Sequence, residues 1–201
     1  RTESSARRQK TIAGPAMCAG IGVHSGAHVR MALTPAPADS GIVFVRSDLR
    51  GLNNAILAHA DNVGETRNCT TLRNPAGAEV STVEHLMSAC AGLGVDNLLV
   101  EIDGPELPIL DGSSAPFVQV LMNAGLKLLS APRRKIVIQA PIEVRLGAKS
   151  AALLPAQFRS ARIHPGRLGR PLCEDLPPSM LRQVVQRPPR KAHSLPKRSS
   201  A

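Results

Sequence analysis

The apolar pattern of this chain breaks at one place, and that break limits what the chain can fold into. Up to Gln157 apolar residues recur in strand-like and helix-like spacings, and from Phe158 onward they do not. Residues 1–157 carry 15 Lys/Arg against 13 Asp/Glu, whereas residues 158–201 carry 10 against 2, with seven prolines. So basic and Pro-rich a segment buries too little apolar area to offset the entropy of ordering it. Residues 158–201 are therefore expected to be a disordered basic tail. What remains of the 201 residues suffices for one good core and a fragment of a second.

That core must be aliphatic. Trp and Tyr are absent, and Phe44, Phe117 and Phe158 are the only aromatic residues. The four cysteines, Cys18, Cys69, Cys90 and Cys173, form no CxxC pair and no disulfide framework, which points to a reducing compartment. No apolar run has the length of a membrane span. The stretch "ARRQKTIAGPAMCAG" is interrupted by Gly14-Pro15 and has no leucine, unlike a signal peptide. A cytoplasmic, monomeric protein without stable membrane insertion is the expectation.

The formal net charge of +10 invites a second reading, a small basic nucleic-acid-binding α/β protein. The charge belongs to the tail, however, and the chain lacks the aromatic residues that stack bases. Nucleic acid is thus not the expected partner.

Between the termini the pattern is mixed. "AHVRMALTPAP" and "SGIVFVRSD" read as strands, "NAILAHADNV" and "RNCTTLRN" as weaker ones, and "NLLVEIDG" as a strongly apolar one. A helix over about Thr82–Gly92 would gather Val83, Leu86, Met87, Cys90 and Leu93 on one face, with Gly92 and Gly94 as its stop. "SSAPFVQVLMNAGL" predicts a second helix capped by Ser113 or Ser114. "RRKIVIQAPIEVRLGAKSAALLPA" predicts a hairpin turning at Leu146–Ala148.

Chemistry could lie in "STVEHLMSAC". Ser81-x-x-Glu84 satisfies a capping box, which would leave His85 as a solvated side chain. Glu84 and His85 could equally be a general base and a metal ligand, although neither HExxH nor HxxEH is present. "GIGVHSGAHV" suggests a tight turn exposing His24, or an ordinary Gly-rich turn. "NVGETRNCTTL" combines Cys69 with hydroxyls, or is a polar hairpin. "ELPILDGSSAPF" reads as a turn followed by a cap.

Taken in order, "GIGVHSG", "NVGET" with its following threonines, "STVEHLMSA", "GLGVDN" and "LPILDGSSAPFV" resemble the N-terminal half of the bacterial UDP-3-O-acyl-N-acetylglucosamine deacetylases, from about Gln9 to Gln157. The resemblance implies a zinc-dependent amidohydrolase of lipid A biosynthesis acting on a UDP-sugar. It also implies two similar α/β domains, each a sheet with two covering helices. It makes His85 one zinc ligand and Glu84 the general base, with His24, Cys69 and Thr70 as substrate contacts. In such chemistry zinc acidifies water and polarises the carbonyl while a carboxylate takes the proton.

The expected architecture is accordingly α+β. It comprises an N-terminal tail (1–8), a two-layer sandwich domain (9–130), the opening hairpin of an incomplete second domain (131–157), and the tail (158–201). The family draws its other zinc ligands from a second-domain HxxxD helix. After Gln157 the only histidines are His164 and His193, followed four residues on by Leu168 and Lys197. The remaining ligands are thus missing from this chain. The expectation is a truncated or frameshifted, impaired form.

Overall fold

The computed structural model describes residues 7–51, 53–134, 137–147 and 149–155. The tail expected over 158–201 lies outside the described residues. Those described form two compact units, one ending at Arg134 and one beginning at Val137. The first contains β1 (Arg8–Ile12), β2 (Ala16–Ile21), β3 (His28–Pro35), β4 (Ile42–Arg46) and β5 (Ala55–Leu57). It continues with β6 (Leu72–Arg73), β7 (Glu79–Val80), α1 (Glu84–Leu93), β8 (Leu98–Ile102), α2 (Ala115–Asn123) and β9 (Leu126–Pro132). The second holds a hairpin of β10 (Ile142–Leu146) and β11 (Lys149–Leu153). The architecture is mixed α/β.

A five-stranded sheet in the order β2-β3-β8-β4-β5 organises the first unit. Its pairings are antiparallel except for β4 and β8, which run parallel. Alternation along each strand sends one set of side chains inward: Val29, Met31 and Leu33 from β3, Ile42 and Phe44 from β4, Leu98, Val100 and Ile102 from β8. Register then stacks them. Met31 lies opposite Ile102, and Phe44 lies between Val100 and Ile56. These residues share one core cluster with Leu86, Ala89 and Cys90 of α1 and Phe117 and Leu121 of α2. Burial pushes the Cys90 thiol up to about 12, so it packs as a small apolar group rather than a nucleophile.

The alternation of β4 ends on Arg46, which is also buried. Its guanidinium meets both oxygens of Asp48, at 2.8 and 2.6 Å, and donates to the Glu79 carbonyl at 2.6 Å. The charge is therefore paired and its hydrogen bonds are made, as burial requires. Helix α1 stops at Gly94, whose φ of +72° suits glycine, and the Val95 N–H donates back to the Cys90 carbonyl at 2.9 Å.

Several elements differ from their sequence signals. Helix α1 begins at Glu84, two residues later than expected, because Thr82 has a φ of +59° and cannot be helical. "NAILAHADNV" is a strand only through Leu57 and then makes a 3-10 turn at Ala60–Asn62. Ser114 makes no side-chain cap bond; the Ala115 N–H goes instead to the Ser113 hydroxyl at 3.1 Å. Strands β1, β2 and β9 carry too little periodicity to stand out, and they form because partners elsewhere in the chain are within reach. In the hairpin, Ile142, Val144 and Leu153 are exposed. No helix among the described residues is long and apolar enough to cross a membrane.

Leu86 is fully buried in the core cluster that also holds residues of the sheet and of α2. Leu86→Ala is expected to destabilise the first unit by roughly 2–5 kcal/mol. The shift in denaturant midpoint at constant slope measures it.

Candidate functional site

The start of α1 is built without the expected capping box. The residue ahead of the helix, Val83, has helical backbone angles and no side-chain cap. Ser81 is engaged elsewhere: its N–H and hydroxyl both go to the Pro105 carbonyl, at 2.9 and 3.2 Å, and its own carbonyl accepts from Leu107 N–H at 3.1 Å. Ser81 thus belongs to a short parallel bridge with Glu106, not to the helix. This frees the Glu84 carboxylate from a return to the helix cap. Its Oε2 accepts the Thr70 N–H at 3.0 Å, while Val83 N–H reaches the Thr70 carbonyl at 3.4 Å. Glu84 and His85 are both half-buried on the first turn, where the helix N-terminus favours a negative side chain.

Thr70 is therefore brought to Glu84 through its backbone. Cys69 is half-buried beside it, with its sulfur 3.8 Å from the Thr71 hydroxyl. His24 is exposed on the turn between β2 and β3, and its backbone is held by a group that the sequence does not advertise. Glu106 is 3% exposed. Its carboxylate accepts from His24 N–H at 3.0 Å, Ser25 N–H at 2.8 Å and the Thr82 hydroxyl at 3.1 Å. Burial pushes the Glu106 pKa up, but hydrogen bonds from His24, Ser25 and Thr82 outweigh it and leave the carboxyl below its ordinary value. In sequence Glu106 opens "ELPILDGSS" and looks like one more loop carboxylate. The available signal was the glycine at position 22. A Cβ there would overlap both Ser25 Oγ and Glu106 Oε2, so only glycine admits the carboxylate.

The donor chemistry can be tested against a metal. A zinc centre takes three or four protein donors. Among the described residues no three His, Cys, Asp or Glu side chains converge. The start of α1 contributes one imidazole, His85, beside a carboxylate already tied to a backbone amide. By themselves they do not fit a zinc centre.

A carboxylate able to take a proton, next to an imidazole able to bind a metal, has the composition of half of a metal-assisted hydrolase site. The family model for UDP-3-O-acyl N-acetylglycosamine deacetylase matches residues 9–165, and the chain belongs to that family. It is 54% identical over 149 residues to the UDP-3-O-acyl-N-acetylglucosamine deacetylase of Phenylobacterium zucineum, covering 74% of this chain and 51% of the relative. The enzymes of the same name from Shewanella baltica and Shewanella oneidensis are 46% and 45% identical over 156 residues, covering 78% of this chain and 50% of each relative. The chain thus spans about half the length of these relatives.

Because the folded-state pKa of Glu106 lies below its ordinary 4.5, the unfolded chain takes up that proton first as the solution is acidified. Its contribution to stability is present in full above about pH 4.5 and is lost as the pH falls through the lower folded-state value. Thermal melts of the wild type and Glu106→Gln should therefore differ most near pH 7 and converge as the pH falls below 4.5.

Proposed function

We propose that this chain carries the first-domain half of a zinc-dependent UDP-3-O-acyl-N-acetylglucosamine deacetylase site, in lipid A biosynthesis. The substrate would be the UDP-sugar, and the products UDP-3-O-acylglucosamine and acetate. The observation that carries the reading is the placement of Glu84 and His85. Both stand on the first turn of α1 with the Glu84 carboxylate turned toward the Thr70 backbone, not back onto the helix cap.

In this reading water adds to the acetamide carbonyl, the C–N bond breaks, and Glu84 carries the proton from the water to the departing amine. Glu84 suits that role because one oxygen is fixed by the Thr70 amide, which sets the carboxylate's direction without protonating it. His85 supplies one zinc ligand, and the other donors come from residues other than those described. His24, Cys69 and Thr70 border the same place as substrate contacts. Residues 9–130 would form the two-layer sandwich domain, 131–157 the opening of an incomplete second domain, and 158–201 the tail. A monomeric, cytoplasmic protein is part of this reading. Family membership favours this function over the basic nucleic-acid binder.

With zinc and substrate supplied, the chain alone is expected to release no measurable acetate, because one imidazole binds zinc too weakly for a stable centre. Residues 9–155 joined to the remaining half of the Phenylobacterium zucineum relative should restore zinc-dependent acetate release. In that chimera Glu84→Gln should lower kcat by about 10²–10⁴-fold, and His85→Ala should lower zinc content. A folded, zinc-loaded chimera in which Glu84→Gln turns over at the parent rate would overturn the role given to Glu84. Stoichiometric zinc and steady acetate release by the chain alone would overturn the reading of it as a half-site.

A further inference from the structure

We propose that Glu106 is a positioning residue of this site: its carboxylate clamps the His24–Ser25 turn to Thr82 and so sets His24 relative to Glu84 and His85. What is positioned rests on the deacetylase reading; the contacts do not.

Three observations meet at this carboxylate. The first is that its partners are far apart in sequence: it lies 82 and 81 residues from the His24 and Ser25 amides and 24 from the Thr82 hydroxyl. Two consecutive backbone N–H groups form a small anion-binding concavity, and here a side chain of the same protein fills it. Gly22 keeps the way to that concavity open. The second is strain. Thr82 is β-branched, buried and held at a φ of +59°, a conformation that persists only where surrounding contacts impose it. Those contacts come from the Glu106 segment: Ser81 is gripped by Pro105 and Leu107 on either side, and Thr82 by Glu106 itself. This left-handed residue delays the start of α1 to Glu84 and thereby places Glu84 and His85 on its first turn.

The third observation is the charge. Among the described residues Glu106 is paired with no Lys, Arg or His side chain; its partners are neutral donors. A buried carboxylate so placed costs desolvation that a well-packed neutral group avoids, so cohesion alone does not account for it. An anion can, however, hold two N–H groups and a hydroxyl at once with directional, charge-assisted bonds. That is what fixing one loop against one helix start requires.

The test uses the chain as it stands, by NMR, without zinc or turnover. In Glu106→Gln the amide exchange of His24 and Ser25 should rise at least about ten-fold, the loss of a charge-assisted hydrogen bond. Nuclear Overhauser contacts between the His24 amide and the Thr82 side chain should fade together with that protection. Exchange of the sheet amides of Phe44 and Val100 should stay at the wild-type rate. Thr82→Val should fade the same contacts, and Thr82→Ser, which keeps the hydroxyl, should restore them. A folded Glu106→Gln with unchanged contacts and unchanged His24 and Ser25 exchange overturns the proposal. So does a parallel rise at every amide in both Glu106→Gln and Thr82→Val, which is the signature of a carboxylate that only supports the fold. Because no readout depends on deacetylation, failure here leaves the chimera result intact. Failure of the chimera likewise leaves the clamp standing.

Discussion

Strand β8 is the part on which the rest depends. It pairs antiparallel with β3 on one side and parallel with β4 on the other. A parallel neighbour cannot be reached by a tight turn; the chain must first be returned to the end of the sheet from which it started. Here β5, antiparallel to β4 in the same sheet, returns the chain, and residues 58–97, which include α1, carry it back past β4 to enter β8. The same strand then leaves the sheet into residues 103–107, which return under the start of α1. The exit from this strand therefore decides which backbone lies against the residues just ahead of the Glu84–His85 turn.

The way polar groups are buried follows from that path. Arg46 and Glu106 sit at the margins of an aliphatic core that has little capacity for unpaired charge. Arg46 is neutralised by Asp48, an ion pair closed within one loop. Glu106 is held by two adjacent amides and a hydroxyl from two other segments of the chain, and so carries positional information that Arg46 does not. The contrast separates a charge that completes a fold from one that orients parts of a site.

Much of this was legible in the residues, and the exceptions share a cause. β3, β4 and β8 each follow a strong period-two or continuous apolar pattern, and α1 and α2 an i, i+3, i+4 one, so each was visible locally. β1, β2 and β9 were not, since "RQKTI" and "LKLLSAP" become strands only by pairing with each other across the domain, and "AMCAGI" only by lying along the neighbouring β3. The capping box at Ser81 had the right letters and failed because Pro105 and Leu107 compete for the same backbone groups. Glu84 and His85 stood out through the order of motifs around them. Glu106 did not, because its partners lie in two other segments and nothing near it in sequence marks it.

The sequence by itself determined the family, the aliphatic core, the two helices and the Glu84–His85 pair, because these depend on local spacing and on the order of short motifs. Only the tertiary structure decided that Glu84 faces Thr70 and not the helix cap, that Thr82 is held left-handed, and that Glu106 joins His24 to the start of α1. Those outcomes are competitions among hydrogen-bond partners more than twenty residues apart or on different elements. Such a competition is settled by which groups the sheet brings within about 3 Å of one another.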